Sequence, residues 1–132
     1  MARTAALILA LSLAALPVRA EQLLSCADID GSGFTWDKES KSLKRVGFIP
    51  MSFTVKVVSK TERLIDLPTW GRSNLYICQE LPRGIIGCTW KDAPAVYPFL
   101  FNGDRYERVG NASQHVGGDP DLSVAYGRCL KF

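Results

Sequence analysis

The sequence has 132 residues, with sixteen basic and thirteen acidic side chains, four cysteines and one histidine. This length predicts one domain with a small core, and a single histidine excludes a metal site built from several imidazoles. Two of the basic residues lie in an N-terminal segment that we expect to be removed. The rest of the chain therefore lacks the basic excess that is typical of nucleic-acid-binding proteins.

Residues 1–20 have the pattern of a secretory signal peptide. Arg3 gives a positive start, residues 5–16 form an apolar run, and residues 18–20 (VRA) place small side chains where a signal peptidase reads them. The run is too short to span a membrane, and no later stretch is long and apolar enough to do so. We therefore expect a secreted or periplasmic protein whose single domain comprises residues 21–132.

The four cysteines of an exported chain predict two disulfide bridges, although the sequence leaves three connectivities open. We favour Cys78–Cys88, which closes a local hairpin, and Cys26–Cys129, which ties the two ends of the domain together. Such bridges contribute about 3–5 kcal/mol each in the chain-entropy model. A lipoprotein acylated at Cys26 is the competing interpretation, but it would leave three cysteines, an odd number in an oxidising compartment.

The segment 28–39 (DIDGSGFTWDKE) matches the ligand spacing of an EF-hand calcium loop. Oxygens at alternate positions surround a hard cation in such loops, and Gly33 would allow the sharp turn. The predicted calcium ligands are Asp28, Asp30, Ser32, the Phe34 carbonyl and Glu39.

The same segment also fits a β-hairpin. Residues 33–36 (GFTW) would be one strand and residues 43–48 (LKRVGF) the return, with Phe34 and Trp36 on one face. Few residues precede the segment after cleavage, so an entering helix has little room, and the chain holds no second loop to pair with it. Calcium binding and a simple hairpin therefore stand as alternatives for this segment.

Four later segments carry strand or hairpin patterns. Residues 53–57 (FTVKV) alternate apolar and polar side chains. Residues 75–90 (LYICQELPRGIIGCTW) predict a hairpin that bends at residues 82–84. If the two cysteines of this hairpin are bridged, Tyr76 lies opposite Trp90 on the same face.

The clearest hairpin signal is in residues 97–109 (YPFLFNGDRYERV). Asn102-Gly103 between apolar runs predicts a two-residue turn, which would place Phe101 opposite Asp104. The final segment, residues 122–132, alternates larger and smaller side chains as a strand does. Because turn signals come at short intervals and helical periodicity is weak, we predict an all-β domain. It would be a small antiparallel barrel or sandwich of about six to eight strands.

Catalytic chemistry is faint in this sequence. A Ser-His-Asp arrangement would need His115, with Ser113 or Ser123 as the nucleophile and Asp119 or Asp121 as the third member. Neither serine has a nucleophile-elbow motif around it, and His115 lies in a Gly- and Asn-rich stretch that reads as a loop. We predict that the protein is not an enzyme, with a small hydrolase as the alternative.

A binding role is the remaining interpretation. Trp70 and Arg72 lie in a turn-like stretch (LPTWGRSN), and an exposed Trp beside an Arg is a plausible contact point for a partner. Basic residues are also concentrated between Lys38 and Arg63, which could face an anionic partner. We expect an unknown protein, glycan or envelope component as the ligand, and no cofactor unless the calcium loop is real.

Three segments resemble small secreted proteobacterial proteins that have no described activity. These are GFTWDKESKSLKRVGF, PFLFNGDRYERV and VAYGRCLKF. The resemblance implies an exported, disulfide-bearing domain. The chain is also similar to periplasmic lysozyme inhibitors, which are small β-barrels with a Tyr-x-Cys stretch and an SG-x-x-Y loop. Residues 76–78 (YIC) fit the first motif, and residues 102–106 (NGDRY) approximate the second, with Asn102 where Ser is expected.

Overall fold

The computed structural model describes residues 21–68, 71–94, 98–111 and 121–132. These residues form nine strands and a short 3-10 turn at Pro82–Gly84. The strands are β1 (Gln22–Asp37), β2 (Ser42–Val46), β3 (Ser52–Val57), β4 (Glu62–Leu67), β5 (Arg72–Leu81), β6 (Ile85–Trp90), β7 (Phe99–Asn102), β8 (Arg105–Asn111) and β9 (Asp121–Lys131). The predicted signal peptide, Trp70 and His115 lie outside the described residues.

Eight of the strands close into an antiparallel barrel. Each strand from β3 to β8 pairs with the next one along the chain, and β1 pairs with both β3 and β9. The remaining strand, β2, pairs only with the second half of β1, from Gly33 to Asp37. The all-β prediction is therefore confirmed, and the barrel rather than the sandwich is the architecture.

Strands β2 and β3 run along the same edge of β1 as one interrupted strand. Gly33 lies opposite Val46 and Ala27 opposite Ser52, so both pairings follow one continuous register. Residues 47–51 interrupt the pairing where the chain leaves the barrel. The far half of β1 and β2 thus form a hairpin, here called the arm (residues 30–46), and the hairpin interpretation of this segment is confirmed.

Both disulfides join residues directly opposite each other on neighbouring strands. Cys26 of β1 faces Cys129 of β9, and Cys78 of β5 faces Cys88 of β6. The predicted pairing is therefore confirmed. Next to the second bridge, Tyr76 lies opposite Trp90, as the hairpin pattern predicted.

The β7–β8 turn is centred one residue later than predicted. Asn102 pairs with Arg105, so the two central residues are Gly103 and Asp104, and Phe101 lies opposite Tyr106 rather than Asp104. Of the two central residues only Gly103 has a positive φ, 62°. That pattern fits a hairpin turn with glycine first, and it pairs two aromatic residues.

A cluster of buried side chains, mostly aromatic or aliphatic, fills the barrel. All eight barrel strands contribute to it: Cys26, Phe53, Val55, Ile65, Leu67, Tyr76, Cys78, Cys88, Trp90, Phe99, Phe101, Tyr106 and Cys129. Several ring pairs meet edge to face, with centroids 5.0 Å apart for Phe53 and Tyr106 and 5.3 Å apart for Tyr76 and Phe99. Such pairs contribute about 0.5–1.5 kcal/mol beyond area burial. The interior is thus occupied by the protein's own side chains.

Candidate functional site

The predicted EF-hand loop does not have the conformation that such a loop needs. Residues 28–37 belong to strand β1, and no helix flanks them. A β-bulge between Asp28 and Asp30 in the pairing with β9 reverses the faces of the strand. The Asp28 carboxylate is therefore fully buried, whereas Asp30 lies opposite the half-exposed Tyr126 on the outer surface.

The other predicted ligands do not join these two carboxylates. Ser32 lies opposite Val124 on the outer face, and Glu39 lies in the turn at the tip of the arm. Within the described residues, no group of three or more His, Cys, Asp or Glu side chains could hold a metal ion. Calcium binding by this segment stays a prediction without a preassembled site, and titration calorimetry at millimolar calcium tests it.

Asp28 instead forms a buried ion pair with Arg108. Arg108 donates from Nη2 to Asp28 Oδ2 at 2.6 Å and from Nε to Oδ1 at 3.1 Å, and the two side chains are 5% and 0% exposed. Tyr106 donates its hydroxyl to Oδ1 at 2.7 Å, and the Met51 amide donates to Oδ2 at 2.8 Å. Both carboxylate oxygens are therefore satisfied, as a buried charge requires.

The titration behaviour of this cluster follows from its contacts. Burial by itself raises the pKa of the Asp28 carboxyl, but the hydrogen bonds from Arg108, Tyr106 and the Met51 amide outweigh it, so the pKa lies below its ordinary value. Burial, together with the Asp28 charge, raises the pKa of the Tyr106 hydroxyl far above its ordinary value. Asp28 is thus ionised and Tyr106 neutral at neutral pH, which suits a structural clamp between β1 and β8.

Small residues let this clamp form. A Cβ at Gly127 would lie 2.6 Å from the Tyr106 hydroxyl and closer still to the Ala27 carbonyl oxygen, so only glycine fits beneath the tyrosine. At Gly31, a Cβ would lie 2.6 Å from the Phe48 ring, which covers this part of β1. The interrupted segment 47–51 is therefore attached to the barrel through Phe48 and Met51.

The outer face of the same strands carries exposed apolar side chains. Residues directly opposite each other in an antiparallel sheet share a face, so Leu100, Glu107, Tyr126 and Asp30 form one row across β7, β8, β9 and β1. Leu100 and Tyr126 are 39% and 49% exposed. The aromatic ring thus has a carboxylate-bearing neighbour on each side.

A second row continues this surface toward the arm. Val109, Val124 and Ser32 lie opposite one another on β8, β9 and β1, and Val124 is 42% exposed. Together the two rows line a groove of about 440 Å³. We call it the outer groove, and its lining includes Asp30, Ser32, Leu100, Glu107, Val109, Val124 and Tyr126. Arg108 also lines it, but its guanidinium is buried and neutralised by Asp28.

The two carboxylates of the outer groove have no ion pair with any other described residue. Among the described residues, Asp30 accepts a hydrogen bond only from the neighbouring Gly31 amide, at 2.7 Å. An apolar groove with an exposed aromatic face and two unpaired anions can bind a cationic group attached to an apolar body. It holds no nucleophile paired with a base among the described residues, so its chemistry is that of binding.

Sequence reasoning missed this groove, although one signal was present. In β9 the larger Leu122, Val124 and Tyr126 alternate with the smaller Ser123, Ala125 and Gly127. Ala125 is 2% exposed while its larger neighbours on the strand are 42% and 49% exposed. The inner side of β9 has room only for small residues, because Tyr106 and the core pack against it. Since side chains alternate along a strand, the large residues then lie on the outer face.

The remaining predicted site residues are scattered. Arg72 is exposed at the start of β5, far along the sheet from the outer groove, while its predicted companion Trp70 is outside the described residues. The predicted hydrolase rests on His115, which is also outside the described residues.

Within the described parts of the chain, no helix is long and apolar enough to cross a membrane. Comparison with known protein families, curated proteins and solved structures gives no match to this chain.

Proposed function

We propose that this protein is a secreted or periplasmic, non-enzymatic binding domain whose outer groove holds a basic and apolar segment of a partner protein. The observation that carries the proposal is the contrast between a barrel interior filled by its own side chains and an apolar groove outside it with two unpaired carboxylates. The two disulfides are compatible with an oxidising compartment.

The chemistry of the groove favours a cation joined to an apolar body. A Lys or Arg side chain of the partner would lie over the Tyr126 ring, between the carboxylates of Asp30 and Glu107. Cation–π contacts of this kind contribute about 0.5–2 kcal/mol. The neighbouring Val109 and Val124 would cover apolar side chains next to the cation. The binding energy would then come mostly from buried apolar surface, and the selectivity from charge.

The test uses the disulfide-bonded domain, residues 21–132, and a fluorescent seven-residue peptide of alternating Lys and Leu. The control peptide replaces each Lys with Gln. We expect the cationic peptide to bind about tenfold more tightly or better, and the double variant Asp30→Asn, Glu107→Gln to abolish the difference. Equal binding of the two peptides would contradict the proposal.

A pair of matched substitutions locates the binding surface. Val124 in the groove and Val58 outside it are both 42% exposed. We expect Val124→Lys to weaken binding of the cationic peptide by about tenfold or more, because it places a like charge in the groove, whereas Val58→Lys leaves binding unchanged. A loss with Val58→Lys and not with Val124→Lys would show that the peptide binds elsewhere.

Lysozyme inhibition is the second candidate function. It is supported by the β7–β8 turn, where Asn102, Gly103, Asp104 and Arg105 are all exposed and could enter a cleft. The other motif of that resemblance does not face a partner, because Tyr76 and Cys78 are buried in the core. A cell-wall clearing assay tests this role: unchanged lysozyme activity in the presence of excess domain removes it.

Export is tested separately from binding. Mass spectrometry of the protein recovered from the producing cells should give a polypeptide that begins at Glu21, without free thiols. A chain that retains residues 1–20, or a lipid on Cys26, would contradict the proposed processing.

A further inference from the structure

The outer edge of β2 differs from every other strand edge in the described part of the chain. β2 and β3 follow one register along β1, and β4 covers the far side of β3. No described strand covers the far side of β2, because the β4 pairing ends at Asp66 and β5 then turns back from Arg72. Among the described strands, every other one has a hydrogen-bonded neighbour on both sides, so β2 alone has one side with no strand partner.

Unpaired strand edges can recruit another strand, and they are commonly protected by short length, charged side chains, bulges, proline or a covering segment. The edge of β2 is five residues long and carries Lys44 and Arg45, which deter pairing with a like-charged strand but not with an acidic one. Here all five residues of β2 are exposed, with Leu43 48% and Val46 43% exposed, and the strand contains no proline. The edge thus offers free main-chain hydrogen-bonding groups beside apolar side chains, which is how β-strand addition recognises extended peptides.

The charge around the edge selects what it can accept. The tip and return strand of the arm hold four basic residues, Lys38, Lys41, Lys44 and Arg45, against two acidic ones, Asp37 and Glu39. Lys44 is neutralised by an ion pair with Asp37, whereas Lys41 and Arg45 have no ion pair with a described residue. A second copy of the same edge would meet like charges, which disfavours self-pairing.

We infer that the free edge of β2 accepts an extended acidic segment of a partner protein as an additional antiparallel strand. The main chain of β2 supplies the hydrogen bonds, Leu43 and Val46 contact the apolar side chains of the segment, and Lys41 and Arg45 pair with its carboxylates. The site is independent of the outer groove, which attracts the opposite charge, so either one can fail without the other.

The probe is the seven-residue peptide Val-Glu-Glu-Val-Val-Glu-Glu, measured by NMR on the disulfide-bonded domain. In an extended strand it carries both residue types on each face, as needed because Leu43 and Arg45 share one face of β2 and Val46 lies on the other. Two control peptides replace Glu with Gln or carry N-methyl groups on one edge of the backbone. We expect saturable shifts and slowed amide exchange at residues 42–46 with the acidic peptide, and binding about tenfold weaker with either control. Equal binding of the N-methylated peptide would overturn strand addition.

Charge reversal tests the selectivity. Arg45→Glu is combined with Lys41→Asp, because Lys41 has a φ of 51°, which aspartate tolerates better than most residues. We expect this variant to lose binding of the acidic peptide by about tenfold or more. The control variant, Lys60→Glu with Lys91→Glu, changes exposed lysines elsewhere and should bind as the wild type does. Unchanged binding by the first variant, with intact cross-strand contacts between β1 and β2, would overturn the inference.

The oligomeric state gives one more decisive readout. If β2 instead pairs with a second copy, the domain should dimerise as its concentration rises, and the residue 42–46 amides should shift without any peptide. Such self-association through β2 would overturn the acidic-partner inference, while a monomer that binds the acidic peptide supports it.

Discussion

The two halves of strand β1 both pair with β9 on one side, but only one half contributes side chains to the barrel core. The barrel half ends at Asp28 and contributes Leu24 and Cys26 to the core, whereas the arm half beyond the bulge presents Gly31 and Gly33 toward the inner side. Pairing on the β2–β3 edge continues in one register through both halves. Backbone pairing alone therefore does not build a core. Leu24 and Cys26 pack against the core because the sheet closes around the barrel half, whereas the inner side of the arm half carries glycines.

The bulge at Asp28 and Asp30 marks the boundary between the halves. It places one aspartate in the buried clamp and the next in the outer groove. Asp28 thus stabilises the fold, whereas Asp30, two positions later, belongs to the proposed binding site. The comparison predicts that changes on the barrel side cost stability, while changes on the arm side alter binding with little effect on folding.

Removal of the Cys26–Cys129 bridge should have the largest effect. This bridge closes a separation of 103 residues, against 10 for Cys78–Cys88. The chain-entropy model gives about 4.7 kcal/mol for a loop of roughly a hundred residues and about 3 kcal/mol for a short one. Denaturant unfolding of the two double Cys→Ala variants checks this order. Equal losses would show that the terminal bridge is not what holds the barrel half of β1 in place.

The two aspartates paired with cations on β1 sharpen the comparison next. Asp28→Ala leaves the Arg108 guanidinium buried without a partner and should cost about 3–5 kcal/mol. Asp37→Ala, which removes the partner of the exposed Lys44 in the arm, should leave the unfolding midpoint almost unchanged. A large loss for Asp37→Ala would mean that the arm contributes to the folding core.

Two glycines give a smaller contrast of the same kind. Gly127 lies opposite Asp28 under Tyr106, so Gly127→Ala should cost about 1–3 kcal/mol through overpacking. Nothing lies within 4 Å of a Cβ at Gly47, next to the arm, so Gly47→Ala should be close to neutral. Thermal unfolding of both variants measures the difference, and equal shifts in melting temperature would contradict it.

Acid stability should depend on Asp28. Its pKa is lower in the folded protein than in the unfolded chain, so its contribution is complete above about pH 4 and is lost as the pH falls through the folded-state pKa. The free energy of unfolding should therefore decline in that acid range. In Asp28→Asn the decline should be shallower, although the variant is less stable at neutral pH. An unchanged slope would show that other carboxyls carry the acid dependence.

Local patterns in the sequence were enough to predict the class of fold and several of its pairs. The cysteine count, the turn signals and the alternation around Cys78 and Cys88 predict antiparallel strands, and the bridge fixes Tyr76 opposite Trp90. These features involve neighbours in sequence, for which side-chain periodicity is a direct guide.

The candidate site could not be predicted in this way, because it depends on a bulge and on contacts distant in sequence. Asp28 is hydrogen-bonded to Tyr106 and Arg108, which are about eighty positions away in the sequence, and no local sequence pattern predicts these contacts. The EF-hand spacing assumes that Asp28 and Asp30 point to one centre, whereas the bulge turns them to opposite faces of β1. The β7–β8 turn lies one residue later than predicted. In the observed register Phe101 pairs with Tyr106, and Gly103 takes the first central position of the turn, where its positive φ is allowed.

The central claim is that ligands bind on the outside of a filled barrel, and methyl NMR tests it most directly. During titration with the alternating Lys–Leu peptide, the methyl signals of Leu100, Val109 and Val124 should shift and saturate together. Those of the buried Val55 and Ile65 should stay in place. Shifts at Val55 and Ile65 with none in the outer groove would contradict the account, because they would place the binding site inside the barrel.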